Sequence, residues 1–451
     1  MRKPKLSFLF IVVIVLPLYL FSPASATQSR LSAMGDLSIV IEDESNRIDL
    51  WDFSGNPAGF LEDESGNVIR SDFLWEPYRA WDIKGPNASS NPQFGLESTG
   101  NTFQALVSSE IRRKSNYAIG ITGSFSRRKA NFNTADYELS HPDLFLVFSK
   151  QLNPKTSLGA DLTYVEYTSK TKSKSSQTTT RSKTHYFRTQ IGGQRSLSNE
   201  ILLAILFGYD SIDSGKKFYT SDYYTFWASL ESIIQINKQL KLGLELASFL
   251  RRDNYESGVA GETQKYYFST FKLKGIYNLT AKLQLGLFYA DNEITTTLFH
   301  PLESFIYPIS PDGLAVSHYG LGGSYQITED ILAGTEFHFR NSSYPHSSRP
   351  DWGLFQASWN TGIEYTISEP LVTRVGYIRT WTDRNPIAGL RTRCWTKEDA
   401  ITFGIGCESK QAGLIIDFSY RYSYKKFAQW YIDWNVKSKT HLLSLSLKKS
   451  F

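Results

Sequence analysis

The chain has 451 residues and carries 49 Lys plus Arg against 44 Asp plus Glu, a formal charge of +5. That near balance gives no electrostatic case for nucleic acid, and beyond the leader no run of 18 apolar residues offers a helical membrane span. Aromatic residues make up 14% of the chain, 26 Tyr and 29 Phe among them. They suit a polar–apolar boundary but also an aromatic-rich soluble sandwich, so the period of the pattern has to decide.

Arg2, Lys3 and Lys5 precede an apolar run from Leu6 to Phe21, and Ala24-Ser25-Ala26 follows as a small-residue exit. Residues 1–26 therefore read as a secretory signal peptide. An uncleaved membrane helix is the alternative, and Pro17 in a short core argues against it. No Cys follows Ala26, so a lipid-anchored N-terminus is not expected.

Residues 27–100 form a leading segment of different character, acidic and rich in turn formers. The tetrapeptide EDES occurs twice, at Glu42–Ser45 and Glu62–Ser65. Neither copy keeps the spacing of a calcium loop, and two exposed acidic turns are the plainer reading. Between them stands Asn56-Pro57-Ala58-Gly59-Phe60. Proline fixes φ and lacks a donor, and glycine tolerates angles that other residues avoid, so this stretch makes a turn. Taken with Met34-Gly35, the alternating Leu37, Ile39 and Ile41, and Asp43, it resembles the N-terminal signature of the long-chain fatty-acid transporter (FadL-like) superfamily of outer-membrane barrels, which includes PorV-like proteins. The resemblance implies an N-terminal hatch in the lumen of a barrel. A plain loop leading into the first strand is the other reading. This sequence departs from the family at Asp36, where a second glycine is usual, and its strands outnumber the family's.

From about residue 101 to 451 apolar side chains recur at every second position. Leu240, Leu242, Leu244 and Leu246 oppose Lys241, Gly243 and Glu245, and Leu283, Leu285 and Leu287 oppose Gln284 and Gly286. Ile401, Phe403 and Ile405 oppose Thr402, Gly404 and Gly406, while Leu414, Ile416, Phe418 and Tyr420 oppose Asp417 and Ser419. Period two means strands. Short turns are expected near Ser115, Pro154, Ser198, Lys238, Ala281, Glu329, Glu369 and Ser409. Longer loops alternate with them at about 128–140, 170–182, 212–222, 252–263, 295–314, 341–353, 382–397 and 425–437.

That alternation is the mark of a transmembrane antiparallel up-and-down β-barrel of the bacterial outer membrane. Counting gives 16 to 18 strands. The preferred number is 18, because termini on one side require an even count and one more strand is expected between Val68 and Leu96. A strand series crosses hydrocarbon only by removing its edges, which is the physical reason for closure.

The inward parity places Glu245, Glu336, His338, Arg374, Asp417 and Arg421 in the lumen, with Gly243, Gly286, Gly320, Gly322 and Gly404 leaving room. These charges either pair across the lumen or set selectivity. The loop near 295–314 is unusually apolar. Its Leu298, Phe299, Leu302, Phe305, Ile306 and Tyr307 form a ligand-capture surface at the outer mouth, or else fold inward on themselves. The basic stretch KTKSKSSQTTTRSK, from Lys170 to Lys183, either meets lipopolysaccharide phosphates or is a solvated tip. Trp381, Trp395, Trp430 and Trp434 fall where an interfacial girdle belongs.

Seven scattered His residues, with no H-E-x-x-H and no G-x-S-x-G, give no case for an enzyme, a metal or a cofactor. Cys394 is expected in a long outer loop and Cys407 near the opposite end of the next strand, too far apart for a disulfide. The final stretch alternates Leu443, Leu445 and Leu447 with Ser444 and Ser446, and its Phe451 resembles the C-terminal signal recognised by the barrel-assembly machinery. Lys449 is the exception, tolerable at a rim where its stem can snorkel.

Together these features imply an outer-membrane channel or transport protein for small solutes, hydrophobic ones included. The alternative is a plugged structural or secretion-associated barrel that serves as a partner platform. The implied partners are outer-membrane lipid and lipopolysaccharide, the barrel-assembly machinery during biogenesis and a small-molecule solute, without nucleic acid.

Overall fold

A computed structural model describes Met34, Leu37 and residues 68–84, 98–112, 117–131, 135–214, 220–257, 260–291, 315–343, 353–368, 370–384, 394–409, 413–429 and 434–450. Eighteen strands account for nearly all of them. In chain order they are β1 (Val68–Lys84), β2 (Ser98–Arg112), β3 (Tyr117–Asn131), β4 (Ala135–Asn153), β5 (Thr156–Ser173) and β6 (Thr179–Ser196). Next come β7 (Ile201–Ser214), β8 (Thr220–Gln235), β9 (Leu240–Ser257), β10 (Ala260–Asn278), β11 (Leu283–Asp291) and β12 (Ala315–Thr328). The last six are β13 (Ile331–Ser343), β14 (Gly353–Ser368), β15 (Leu371–Arg384), β16 (Cys394–Ser409), β17 (Leu414–Gln429) and β18 (Trp434–Ser450).

Each strand pairs antiparallel with its sequence neighbours, and β1 pairs with both β2 and β18. No strand is left with an open edge, as an apolar solvent demands. β1 is thus a full member of the ring, in the interval where the even-number argument placed it. Eighteen strands enclose a lumen of the size that porins leave for water.

The side chains explain why the ring belongs in lipid. Along β13, Glu336 is wholly buried while the next residue, Phe337, is 44% exposed. On β7 Leu206 is buried and Phe207 is 59% exposed, and on β16 Thr402 is buried and Phe403 exposed. Register carries the same parity from strand to strand: Leu287, Leu321, Phe337 and Trp359 follow one another across β11 to β14 on the outer face. Apolar side chains outside and polar ones inside invert the arrangement of a soluble sandwich and match an outer-membrane barrel.

Aromatic groups finish both rims, with Tyr325 and Tyr365 exposed near the short turns and Trp381 and Trp395 near the loops. Between them the Phe337 and Trp359 rings stack at 6.1 Å, and the Trp359 indole donates to Thr335 Oγ1 at 2.9 Å. Trp430 and the side chain of Trp434 lie outside the described residues. Leu321→Arg, at mid-height on the lipid face, is expected to cost about 2–4 kcal/mol. An unchanged urea midpoint for this variant in lipid vesicles would count against the assigned lipid face.

The eight short turns fall where turn-forming residues announce them, each between strands no more than a few residues apart. The long loops need correction. β3 runs to Asn131 and β4 resumes at Ala135, and only residues 258 and 259 separate β9 from β10. Strands of 15 to 19 residues such as these rise beyond the bilayer, because paired backbone is still favourable in water. The polar composition of those stretches reflects the height they reach.

On that upper rim Arg127 pairs with Glu138 on the outer face, and its hydrogen bond holds the Glu138 carboxyl below the usual carboxylate range. The basic stretch from Lys170 to Lys183 forms the upper ends of β5 and β6. Their connection carries Gln177 at φ 54°, and Lys174 Nζ lies 3.2 Å from Asp136. Cys394, expected in a loop, is instead the first residue of β16. The same strand carries Cys407, which is a free, buried thiol.

At the closing strand, Leu443, Leu445 and Leu447 share the lipid face with Tyr420, Phe418 and Ile416, whereas Ser444 and Ser446 share the lumen face with Ser419 and Asp417. Lys449 stands opposite Leu414 at the short-turn rim. Phe451 lies outside the described residues.

Candidate functional site

The inner wall is where this fold can select or block a solute, and its strands supply three polar groupings. The first lies on β14 to β17, three or four residues from the short turns. Glu364 and Arg374 are direct cross-strand partners, and Arg374 Nε donates to Glu364 Oε2 at 2.7 Å. Arg374 Nη1 then reaches over β16 to Asp417 Oδ1, also at 2.7 Å. Gly406 on the intervening strand makes this reach possible, since a Cβ there would stand 2.8 Å from Arg374 Nη2 and closer still to the Asp417 carboxylate. Arg374 and Asp417 are 2% and 0% exposed.

Beside this cluster, Gly334, Gly362 and Gly376 sit opposite one another on β13, β14 and β15. A Cβ at Gly362 would overlap the backbone carbonyl of Met34, and one at Gly334 would lie 2.7 Å from Leu37 Cδ1. Met34 and Leu37 are completely buried, packed with the inward-facing Phe288 and Leu332. The glycine row lets backbone and side chain of the leading segment touch the wall, which bulkier residues would forbid.

Higher on the same wall, Glu336 Oε2 lies 3.0 Å from His338 Nε2, and His338 Nδ1 lies 3.3 Å from His318 Nε2. The His318 ring meets Phe288 edge-on at 4.9 Å. A third grouping occupies mid-height on β5 to β8. Arg188 Nε lies 3.4 Å from Asp210 Oδ1, Tyr186 Oη donates to the same oxygen at 3.2 Å, and the guanidinium sits 5.0 Å from the Trp227 ring. Trp227 lies flat against Gly208, where any side chain would collide with it. Asp161 and Thr163 face the lumen alongside.

All six lumen residues singled out by parity are on the inner wall, but they do not form one site. Arg374 and Asp417 are in contact, and so are Glu336 and His338. Glu245 pairs with Lys272 at 3.2 Å, and Arg421 with Glu398 at 3.4 Å. Glu364, His318, Asp161, Arg188 and Asp210 were missed, although each alternates with a lipid-facing neighbour such as Ile363, Tyr319, Leu162, Phe187 or Tyr209. The same parity, applied strand by strand, finds them. Asn56 to Phe60, and Leu298, Phe299, Leu302, Phe305, Ile306 and Tyr307, lie outside the described residues.

Ring, lipid face and polar lumen define an outer-membrane β-barrel. No protein family matches the sequence, and neither does any curated protein. Among solved structures, the FrpB iron transporter of Neisseria meningitidis, F5-1 variant in apoprotein form, gives a TM-score of 0.52 at 9% identity, over 88% of this chain and 83% of that one. The toluene transporter TodX of Pseudomonas putida gives 0.42 at 12% identity, over 96% and 100%. The ferric-catecholate receptor Fiu of E. coli K12 gives 0.48 at 8%, over 86% and 82%. The FrpB match bears on fold alone, and the other two scores are too low to add to it.

Proposed function

We propose that the chain is an outer-membrane transport channel for small polar solutes, closed on the short-turn half of its lumen by the leading segment. The observation that carries this is the burial of Met34 and Leu37 against Gly362 and Gly334. Both residues belong to the stretch that resembles the fatty-acid transporter signature, so distant kinship with that superfamily is part of the proposal. The wall favours a polar cargo over an apolar one. Its partly exposed ion pairs Lys272–Glu245 and Arg421–Glu398 present charge that a polar solute can meet and a hydrocarbon cannot.

The same ion pairs also suit a permanently plugged barrel acting as a partner platform, and flux separates the two. Liposomes holding the full chain should swell slowly in small sugars or amino acids, and deletion of residues 27–67 should raise the rate at least tenfold. No swelling by either form, with both migrating as folded barrels, rejects the channel and leaves the platform.

A further inference from the structure

On β5 the inner face holds a carboxylate that its neighbours leave unused. Asp161 and Thr163 point into the lumen two residues apart, and register sets them opposite Gln190 and Arg188 on β6. They are 6% and 3% exposed, and neither Asp161 Oδ1 nor Thr163 Oγ1 has a hydrogen-bond partner among the described residues. Burial of a charge is costly unless the charge is paired. A group that brings donors and a positive charge to this point would offset that cost.

The neighbouring guanidinium is already engaged. Arg188 Nε lies 3.4 Å from Asp210 Oδ1, and the guanidinium sits 5.0 Å from the Trp227 ring. Asp210 is held in turn by Tyr186 Oη at 3.2 Å and by the Trp227 side chain. Arg188 and Asp210 are the charges among the described residues that act on Asp161. Two carboxylates therefore share one guanidinium, and with both ionised the grouping carries a negative charge in excess. On the short-turn side of Asp161 and Gln190, Gly159 pairs with Gly192, between the outward Leu158 and Ile191. Neither strand sets a side chain against the carboxylate there.

Building on the channel reading above, we propose that Asp161 and Thr163 form a subsite for a small solute that carries an ammonium group. An ammonium is a donor only, with a full positive charge. The carboxylate and the hydroxyl oxygen accept its N–H groups, and its charge balances the grouping. A neutral alcohol would satisfy the oxygens and leave the charge, while an anion would meet two carboxylates. A calcium ion takes about six to eight oxygen ligands, and among the described residues no three His, Cys, Asp or Glu side chains converge to hold a metal.

The test measures equilibrium binding to the full chain in a neutral detergent by ligand-observed NMR, with ethanolamine, ethylene glycol and glycolate as probes of matched size. Ethanolamine should bind most tightly. Asp161→Asn, which keeps the shape and removes the charge, should weaken ethanolamine roughly tenfold to a hundredfold, the loss of a charge-assisted hydrogen bond. Thr163→Val should weaken it by less, roughly threefold to tenfold, and keeps the test open if Asp161→Asn does not fold. Glu166→Gln, on the outer face of the same strand, should leave binding unchanged. The proposal is overturned if ethanolamine binds no more tightly than glycolate or ethylene glycol, or if folded Asp161→Asn and Thr163→Val barrels bind it like the parent. Liposome swelling in neutral sugars reads the channel separately. Swelling without a preference for ethanolamine removes the subsite and keeps the channel, while binding through Asp161 with no swelling by any form removes the channel and keeps the subsite.

Discussion

Gly362→Leu is expected to open the lumen. The glycine faces inward on β14, between Gly334 and Gly376, and the carbonyl of Met34 occupies the space that its side chain would fill. A backbone atom cannot rotate away as a flexible side chain does, so the leading segment must withdraw. The barrel itself has no reason to fail, because its ladder hydrogen bonds are unaffected and its lipid face is unchanged.

The size of the effect follows from what is lost. Full burial of a Met or Leu side chain is worth about 1.5–3 kcal/mol, and each 1.4 kcal/mol shifts an equilibrium by about a factor of ten. Losing the Met34 contact should raise the open fraction between about tenfold and a hundredfold, read as liposome swelling rate or single-channel open probability. Gly123→Leu is the control, since Gly123 is on the outer face with nothing near its Cβ position. Flux equal to the parent's, from a Gly362→Leu barrel that still shows heat-modifiable migration, would remove Met34 as a closing contact.

Most of the ring was legible because period two needs only the identity of each residue. Leu414 to Tyr422 and Leu443 to Leu447 fall on the faces that their alternation assigns, and the short turns fall at residues such as Pro154, Lys238 and Glu329. The loop limits were not legible for an equally physical reason. Lys129, Lys172 and Glu256 look like loop residues, yet each has a cross-strand partner above the membrane, where polar side chains and paired backbone coexist. The site was legible by face and not by contact. Parity put Arg374 and Asp417 inside, but they belong to β15 and β17, and their meeting depends on Gly406 in the strand between. Nothing in the spacing of Arg374 and Asp417 encodes that diagonal reach. The contact of Leu37 with Gly334 spans almost 300 residues of sequence and was beyond any local pattern.

Arg374→Met should be the most destabilising single change on the inner wall. The guanidinium holds two carboxylates at 2.7 Å, with side-chain exposures of 1% for Arg374, 13% for Glu364 and 0% for Asp417. Removing it leaves two buried carboxylates, Glu364 on β14 and Asp417 on β17, without their shared counter-ion, and breaking a buried pair from one side costs about 3–5 kcal/mol. Glu364→Gln should cost less, because Arg374 keeps Asp417 and the amide oxygen can still accept. Replacing all three, as Arg374→Met with Glu364→Leu and Asp417→Leu, should recover most of the loss, since the desolvation of the charges disappears along with their attraction. Unfolding in urea from lipid vesicles measures the series. The expected order of midpoints is parent and triple variant highest, Glu364→Gln between, and Arg374→Met lowest. If Arg374→Met unfolds with the parent, the two carboxylates are not held as a buried network, and the cluster does not stiffen the wall on which the leading segment rests.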